Sequence, residues 1–244
     1  MDTYILISGA TSGIGKATAL RLSQYHNVIV MGRDDEKVNS VVSACNNSPF
    51  QVLPLTINLD TEVSQVSDKL TSFIKEKNIV IEQFVHCAGF TKILPLRSFS
   101  FDQIQSIFNV NVFSGIEILK TLVKRVNHKS LNNVVFISAL WSIRGERANA
   151  IYASSKGAIN SLIPSVAKEL APDVRVNAIL PGGVETPMSA EMMNSEQGKL
   201  QEKDYPLGFG RIDDIVNMIE FLLSDKSKWI TGQLISVDGG RSIL

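Results

Sequence analysis

No apolar run in this sequence is long enough to cross a bilayer. The longest, such as residues 134–137, are the length of a strand. Charge of one sign is not in excess either: 24 Lys and Arg face 24 Asp and Glu, for a formal net charge of zero. Bulk electrostatics therefore gives no reason to expect a nucleic-acid or membrane partner. Cysteine is scarce. Cys45 and Cys87 are the only two. They lack the spacing of metal ligands, so no metal site is expected, and a cytoplasmic protein would keep both reduced. No charged leader with an apolar stretch precedes the first strand-like run, so the expected location is cytoplasmic. Linkers, charge blocks, low-complexity tracts and repeats are absent too. One domain over residues 1–244 is the simplest organisation.

What is present is a regular alternation. Short apolar, β-branched runs at residues 4–8, 28–31, 52–55, 81–86, 134–138, 175–179 and 234–237 read as strands. Amphipathic stretches follow most of them. Residues 14–25 carry Ile14, Ala17, Leu20 and Leu22, and residues 62–77 carry Val63, Val66, Leu70, Phe73 and Ile74. Parallel neighbours need helical crossovers, so the repeat predicts an α/β fold with a mainly parallel, doubly wound sheet. Residues 187–208 break the rhythm. Met188, Met192 and Met193 lie in a stretch bounded by Pro187 and Gly208. It predicts short helices in a mobile lid over a site, or else a surface excursion with no ligand role.

Ser8-Gly9-Ala10-Thr11-Ser12-Gly13-Ile14-Gly15 joins the first strand to the first helix. Glycine permits a sharp turn and a close approach of backbone to a pyrophosphate, and the helix start offers its amides to that anion. Tight strand–helix packing alone would also select such glycines. The second strand leads into Gly32 and Arg33. An acid there would hold a ribose 2′-hydroxyl. Glycine removes it, and Arg33 offers a fork for a 2′-phosphate. NADP(H) is therefore expected rather than NAD(H), unless Arg33 only caps the strand end or pairs with Asp34 or Asp35.

The spacing Gly-x-x-x-Gly-x-Gly, together with Tyr152-Ala-Ser-Ser-Lys156, resembles the short-chain dehydrogenase/reductase family. The likeness runs from the first strand to Val237-Asp238-Gly239-Gly240. It implies a single Rossmann-type domain whose seven-stranded parallel sheet carries three helices on each face. It also implies a ketoreductase or alcohol dehydrogenase acting on a small carbonyl or alcohol, with a 3-oxoacyl group among the candidates. Through it Gly9, Thr11, Ser12, Gly13, Ile14, Gly15, Arg33, Asn58, Leu59, Ala88, Gly89, Tyr152, Lys156, Pro181, Gly182, Val184 and Thr186 become cofactor-binding candidates. Asn58 stands where relatives often carry aspartate, and its amide oxygen could accept from the adenine amine. His86 and Cys87 replace the amides usual before Ala88-Gly89, and both are expected to pack.

Hydride transfer leaves a proton to be handled on the alcohol oxygen. Tyr152 and Lys156, four apart on a helix starting near Asn149, share one face. An ammonium near a phenol lowers its pKa, so Tyr152 could donate to a developing alkoxide or accept in reverse. The resemblance assigns Lys156 a second bond, to the nicotinamide ribose. It assigns Asn111 a water in the relay, with Asn109 the competing choice. It also requires a serine thirteen residues before the tyrosine, and that position is Ala139. Ser138 becomes a catalytic candidate if a local irregularity turns it inward, and Ser142 is the alternative. Otherwise the enzyme works without the hydroxyl, or the chain is a weak or inactive NADP-binding regulatory or structural protein.

Pro164 falls inside the helix that bears Tyr152 and predicts a kink. By resemblance, that helix and one over residues 111–126 would meet a second copy in a homodimer or homotetramer. Lys124, Arg125, His128 and Lys129 cluster at the end of the latter. They suit a helix dipole, or an acidic acyl carrier protein.

Overall fold

Seven strands form one sheet in the computed structural model, which describes residues 1–243. They are β1 (Asp2–Ser8), β2 (Val28–Gly32), β3 (Val52–Thr56), β4 (Ile79–His86), β5 (Asn133–Ile137), β6 (Arg175–Pro181) and β7 (Leu234–Val237). All pair in parallel, in the order β3-β2-β1-β4-β5-β6-β7. The helices are α1 (Gly13–Leu22), α2 (Asp35–Ala44), α3 (Val66–Lys77), α4 (Phe101–Phe108), α5 (Ser114–Leu122), α6 (Trp141–Arg144), α7 (Ala150–Leu170), α8 (Ala190–Asn194), α9 (Glu196–Glu202) and α10 (Ile212–Leu223). Among the described residues, no helix is long and apolar enough to cross a membrane.

The inner strands are near-continuous apolar runs because both faces of the sheet are covered. Side chains alternate between two cores. Ile5, Ile7, Val30 and Val135 face α1, α2 and α10, against Ala19, Leu22, Val38, Val41, Ile215 and Ile219. Leu6, Ile29, Phe84 and Phe136 face α3, α5 and α7, against Leu70, Ile74, Ile118, Leu122, Ile159 and Ile163. The expected sheet with three helices on each face is the architecture found. Pro54 lies in the edge strand β3, where a missing N–H costs the ladder least.

The strand order reverses at β1. β2 and β3 lie to one side of it and β4 to β7 to the other, so the crossovers leave in opposite directions and open a crevice at the carboxyl ends of β1 and β4. Buried polar side chains brace the rest. The Asn127 amide pairs with both backbone groups of Ile81, at 2.7 Å each. Arg175 donates to the carbonyls of Leu222, Ser224, Ser227 and Ile230, tying the end of α10 and the turn after it to β6.

One expectation needs correction. The helix foreseen over residues 111–126 is interrupted: α4 runs into a π-helical turn at Asn109–Phe113, and α5 starts after it. Hydrophobic spacing cannot reveal one extra residue in a turn, whereas the sites that use such bulges are often functional. Pro164 lies within α7, as expected of the helix that bears Tyr152. Residues 187–208 do form two short helices, α8 and α9.

Candidate active site

The Gly-rich turn is packed too closely for side chains. Gly9 has φ +68°, and a Cβ there would lie 2.6 Å from the Ala88 backbone. A Cβ on Gly15 would strike the Gly9 carbonyl. Ser12 precedes α1 without a side-chain cap, and no acid lies in the first turn. The amides at the start of α1 are thus left free, at the helix end that favours an anion. Across the crevice stands Thr186: a Cβ on Gly13 would come 3.7 Å from its Cβ. Thr186 is fixed by Ser189, whose Oγ accepts from its N–H at 2.9 Å and donates to the Val184 carbonyl at 2.6 Å. Val184 is buried and forms an isolated bridge to Gly210, and the Pro181 carbonyl accepts from Leu140 N–H.

At the end of β2, a Cβ on Gly32 would meet Thr11 Cγ2 at 2.5 Å and Val38 Cγ2 at 2.9 Å. An acid cannot stand there unless Thr11 moves. Arg33 is exposed and makes no ion pair among the described residues. Asp34, its suggested partner, instead caps α2 by accepting from Lys37 N–H. Asn58 follows β3 and is held in a local turn. Its amide oxygen accepts from Asp60 and Thr61 N–H, at 3.1 and 3.4 Å. Leu59 is buried in the core, leaving only its backbone for a ligand.

Tyr152 and Lys156 lie one helical turn apart on α7. Lys156 is 4% exposed and donates from Nζ to the Ile137 carbonyl at 2.8 Å. Its Nζ lies 5.9 Å from the centre of the Tyr152 ring. Gly89 completes the approach: a Cβ there would be 3.1 Å from Lys156 Nζ and 3.3 Å from Asn111 Oδ1. Asn111 is fully buried in the π-helical turn. Its amide pairs with both Phe90 backbone groups and donates to Ser155 Oγ, which donates to the Tyr152 carbonyl. Gly89, Asn111 and the Tyr152–Lys156 pair are thus brought together from three separate stretches of chain. The charge balance differs from expectation. Burial holds the phenol up at about 12 and pushes the ammonium down to about 8. Desolvation favours both neutral forms and outweighs attraction across that distance.

Ser138 is 2% exposed, and its Oγ donates to Asn160 Oδ1 at 2.7 Å. The same hydroxyl lies 3.2 Å from the Lys156 carbonyl. It braces α7 rather than turning inward, as strand alternation at a strand end dictates. Ser142 accepts from Asn160 Nδ2 at 2.7 Å and gives its proton to the Ala139 carbonyl. Asn160 is the residue that sequence reasoning passed over. Tyr152, Lys156 and Asn160 are spaced by four along α7, and that stripe was legible.

His86 packs as expected. It is fully buried between Phe84 and Phe136, with Nδ1 2.8 Å from Ser8 Oγ. Burial first, and Lys156 second, lower its pKa from 6.5 to about 3, so it is neutral. Between those values the unfolded chain binds the extra proton, and stability falls as pH falls through that window. From this group the loss at pH 5 is about 2 kcal/mol. Urea midpoints at pH 7 and pH 5 measure it, and His86→Asn should remove most of the difference. An unchanged difference would assign the acid sensitivity elsewhere. Burial likewise pushes the Cys87 thiol up to about 12, which leaves it a poor nucleophile. Lys124, Arg125, His128 and Lys129 precede β5, at the amino end of the sheet and opposite the crevice.

The family model described as Enoyl-(Acyl carrier protein) reductase matches residues 9–242. The chain is similar to 3-oxoacyl-(acyl-carrier-protein) reductase FabG of Thermotoga maritima, at 32% identity over 238 residues and 96% of each chain. Among solved structures it resembles a short-chain type dehydrogenase/reductase from Mycobacterium ulcerans. The TM-score is 0.90 at 27% identity, over 99% of this chain and 90% of the other. It also resembles 4-hydroxyisoleucine dehydrogenase complexed with NADH, with a TM-score of 0.90 at 25% identity over 100% of both chains.

Proposed function

Because the chain belongs to the short-chain dehydrogenase/reductase family of oxidoreductases, we propose that it is an NADP(H)-dependent ketoreductase or alcohol dehydrogenase acting on a small carbonyl or alcohol. The observation that carries this reading is the cluster of Gly89, Asn111, Tyr152 and Lys156 beside the uncapped start of α1. Bound nicotinamide would supply or accept the hydride. Tyr152 gives its proton to the oxygen of the reduced carbonyl, or takes one in reverse. Lys156 holds the ribose, and Asn111 supports the proton relay from a buried, fully hydrogen-bonded position. Gly9, Thr11, Ser12, Gly13, Ile14 and Gly15 cradle the pyrophosphate, and Ala88, Pro181, Gly182, Val184 and Thr186 line the nicotinamide end. The segment 187–208 covers the substrate, with a 3-oxoacyl group one candidate in view of the Thermotoga relative. A homodimer or homotetramer fits the exposed Phe101, Phe113 and Val123.

One structural relative carries NADH, so the preference for NADP rests on this chain's Arg33 and Gly32. Arg33→Asp should weaken NADPH binding about tenfold or more, the worth of a charge-assisted fork, and leave NADH binding nearly unchanged. Equal losses in paired titrations would count against the assignment. The general test is NADPH oxidation over a panel of small carbonyls. A second reading is favoured by Ala139, with Ser138 and Ser142 both engaged elsewhere: a weak or inactive NADP-binding regulatory or structural protein. A chain that binds NADPH but oxidises none across the panel would select that reading.

A further inference from the structure

The turn that follows β6 is made of Gly182 and Gly183, which have no side chains to hold it. Backbone pairing with Val237 and Gly210 holds its two sides, and two rings pack against it. Gly183 N–H donates to the Tyr205 hydroxyl at 3.0 Å. A Cβ on Gly183 would lie 2.7 Å from Phe209, and one on Gly182 would lie 3.0 Å from Tyr205. Tyr205 is 5% exposed and packs edge-on to Phe209, their ring centres 5.0 Å apart.

Tyr205 is held in turn by the carboxyl-terminal segment. The Arg241 guanidinium lies 5.7 Å from the centre of its ring and pairs with Asp204 at 2.9 Å. The Arg241 side chain is 17% exposed, and its carbonyl accepts from Arg144, in the short helix just after Ala139. Asp238 fixes the segment by accepting from Gly240 and Ser242 N–H, and Leu207 N–H donates to the Gly239 carbonyl. The lid base, the chain's end and the loops after β5 and β6 are thereby joined around one phenol.

We propose that Tyr205, backed by Arg241, is a positioning residue that selects the conformation of the Gly182–Gly183 turn and so sets affinity for the nicotinamide half of the cofactor. This rests on the reading of that turn as part of the cofactor site. Two consecutive glycines reach many backbone conformations. When only a fraction of molecules holds the competent one, apparent affinity falls by that fraction. Among the described residues the phenol supplies the one side-chain hydrogen bond to Gly183 N–H, so its removal loosens the turn without touching the Gly-rich turn or Arg33.

The test compares NADPH with adenosine 2′,5′-bisphosphate, which lacks the nicotinamide, by calorimetry on the full chain. Tyr205→Phe is expected to weaken NADPH binding about tenfold and to leave adenosine 2′,5′-bisphosphate unchanged. Arg241→Gln should give the same split from the other side of the ring, and it serves where Tyr205→Phe does not fold. Arg241→Lys, which keeps the charge toward Asp204, should recover part of the loss. A merely structural defect would lower both affinities together, and that result overturns the inference. So does a Tyr205→Phe protein that binds both ligands as the wild type does, with the cofactor assignment still standing. A wild type that binds neither ligand overturns the cofactor assignment and this inference with it.

Discussion

Tyr152→Phe is expected to lower NADPH-dependent carbonyl reduction by about 10³-fold, within the range for loss of a positioned general acid, while NADPH binding is retained. The phenol sits at about 12 in the unliganded protein, so it carries its proton at neutral pH and serves as a donor. The hydroxyls of Ser138 and Ser142 are committed to Asn160 and to the Ala139 carbonyl. Phenylalanine keeps the ring that packs near Lys156, and it leaves the Tyr152 carbonyl to accept from Ser155 as before. The loss should therefore fall on kcat. Lys156, pushed down to about 8, adds a pH signature: kcat/KM should decline above about pH 8 as the ammonium proposed to hold the ribose loses its charge. Steady-state kinetics at saturating NADPH measures the first effect and a pH series the second. A loss smaller than about tenfold would move the acid to another group.

The second large effect runs in the opposite direction. Ala139→Ser is expected to raise kcat about 10²-fold, the usual worth of one donor aimed at a developing oxyanion, with KM for NADPH unchanged. Ala139 is buried at the carboxyl end of β5, and its carbonyl anchors Ser142. A hydroxyl at this β-carbon would stand on the opposite side of the chain from Ser138. It would join Tyr152 on the substrate oxygen without disturbing the Ser138–Asn160 pair. An unchanged kcat would mean that another group, such as one on the substrate, already fills this role. If turnover is absent in the wild type and present in the variant, the non-catalytic reading is the correct one.

Those two substitutions probe a site that was legible in part. The Gly-rich turn, the Tyr152–Lys156 pair and the parallel sheet follow from local rules. A strand, a turn and a helix in sequence need only the residues between them, and four-residue spacing on a helix places two side chains on one face whatever surrounds them. Ala139 was also visible, because the count back from Tyr152 crosses no gap in the pattern. Asn111 stood out in the sequence as a residue of interest, yet its setting was not legible. A π-helical turn inserts one residue between α4 and α5, and neither composition nor periodicity marks it.

What the sequence by itself determined is therefore the order of elements and the groups they carry: β–α repeats, a Gly-rich turn before a helix, and a phenol and an amine on one helix face. The tertiary structure decided how charge and hydrogen bonds are distributed among them. Desolvation at long-range contacts, not the four-residue spacing, sets the neutral-leaning pKa values of Tyr152 and Lys156. Packing against α7 turned Ser138 toward Asn160, and a local turn occupied the Asn58 oxygen. Tyr205 meets Gly183 across 22 residues, and Arg241 meets Tyr205 across a longer separation still. Such partners are chosen by whatever the folded chain brings within hydrogen-bonding or packing distance, and no spacing rule along the sequence encodes that choice.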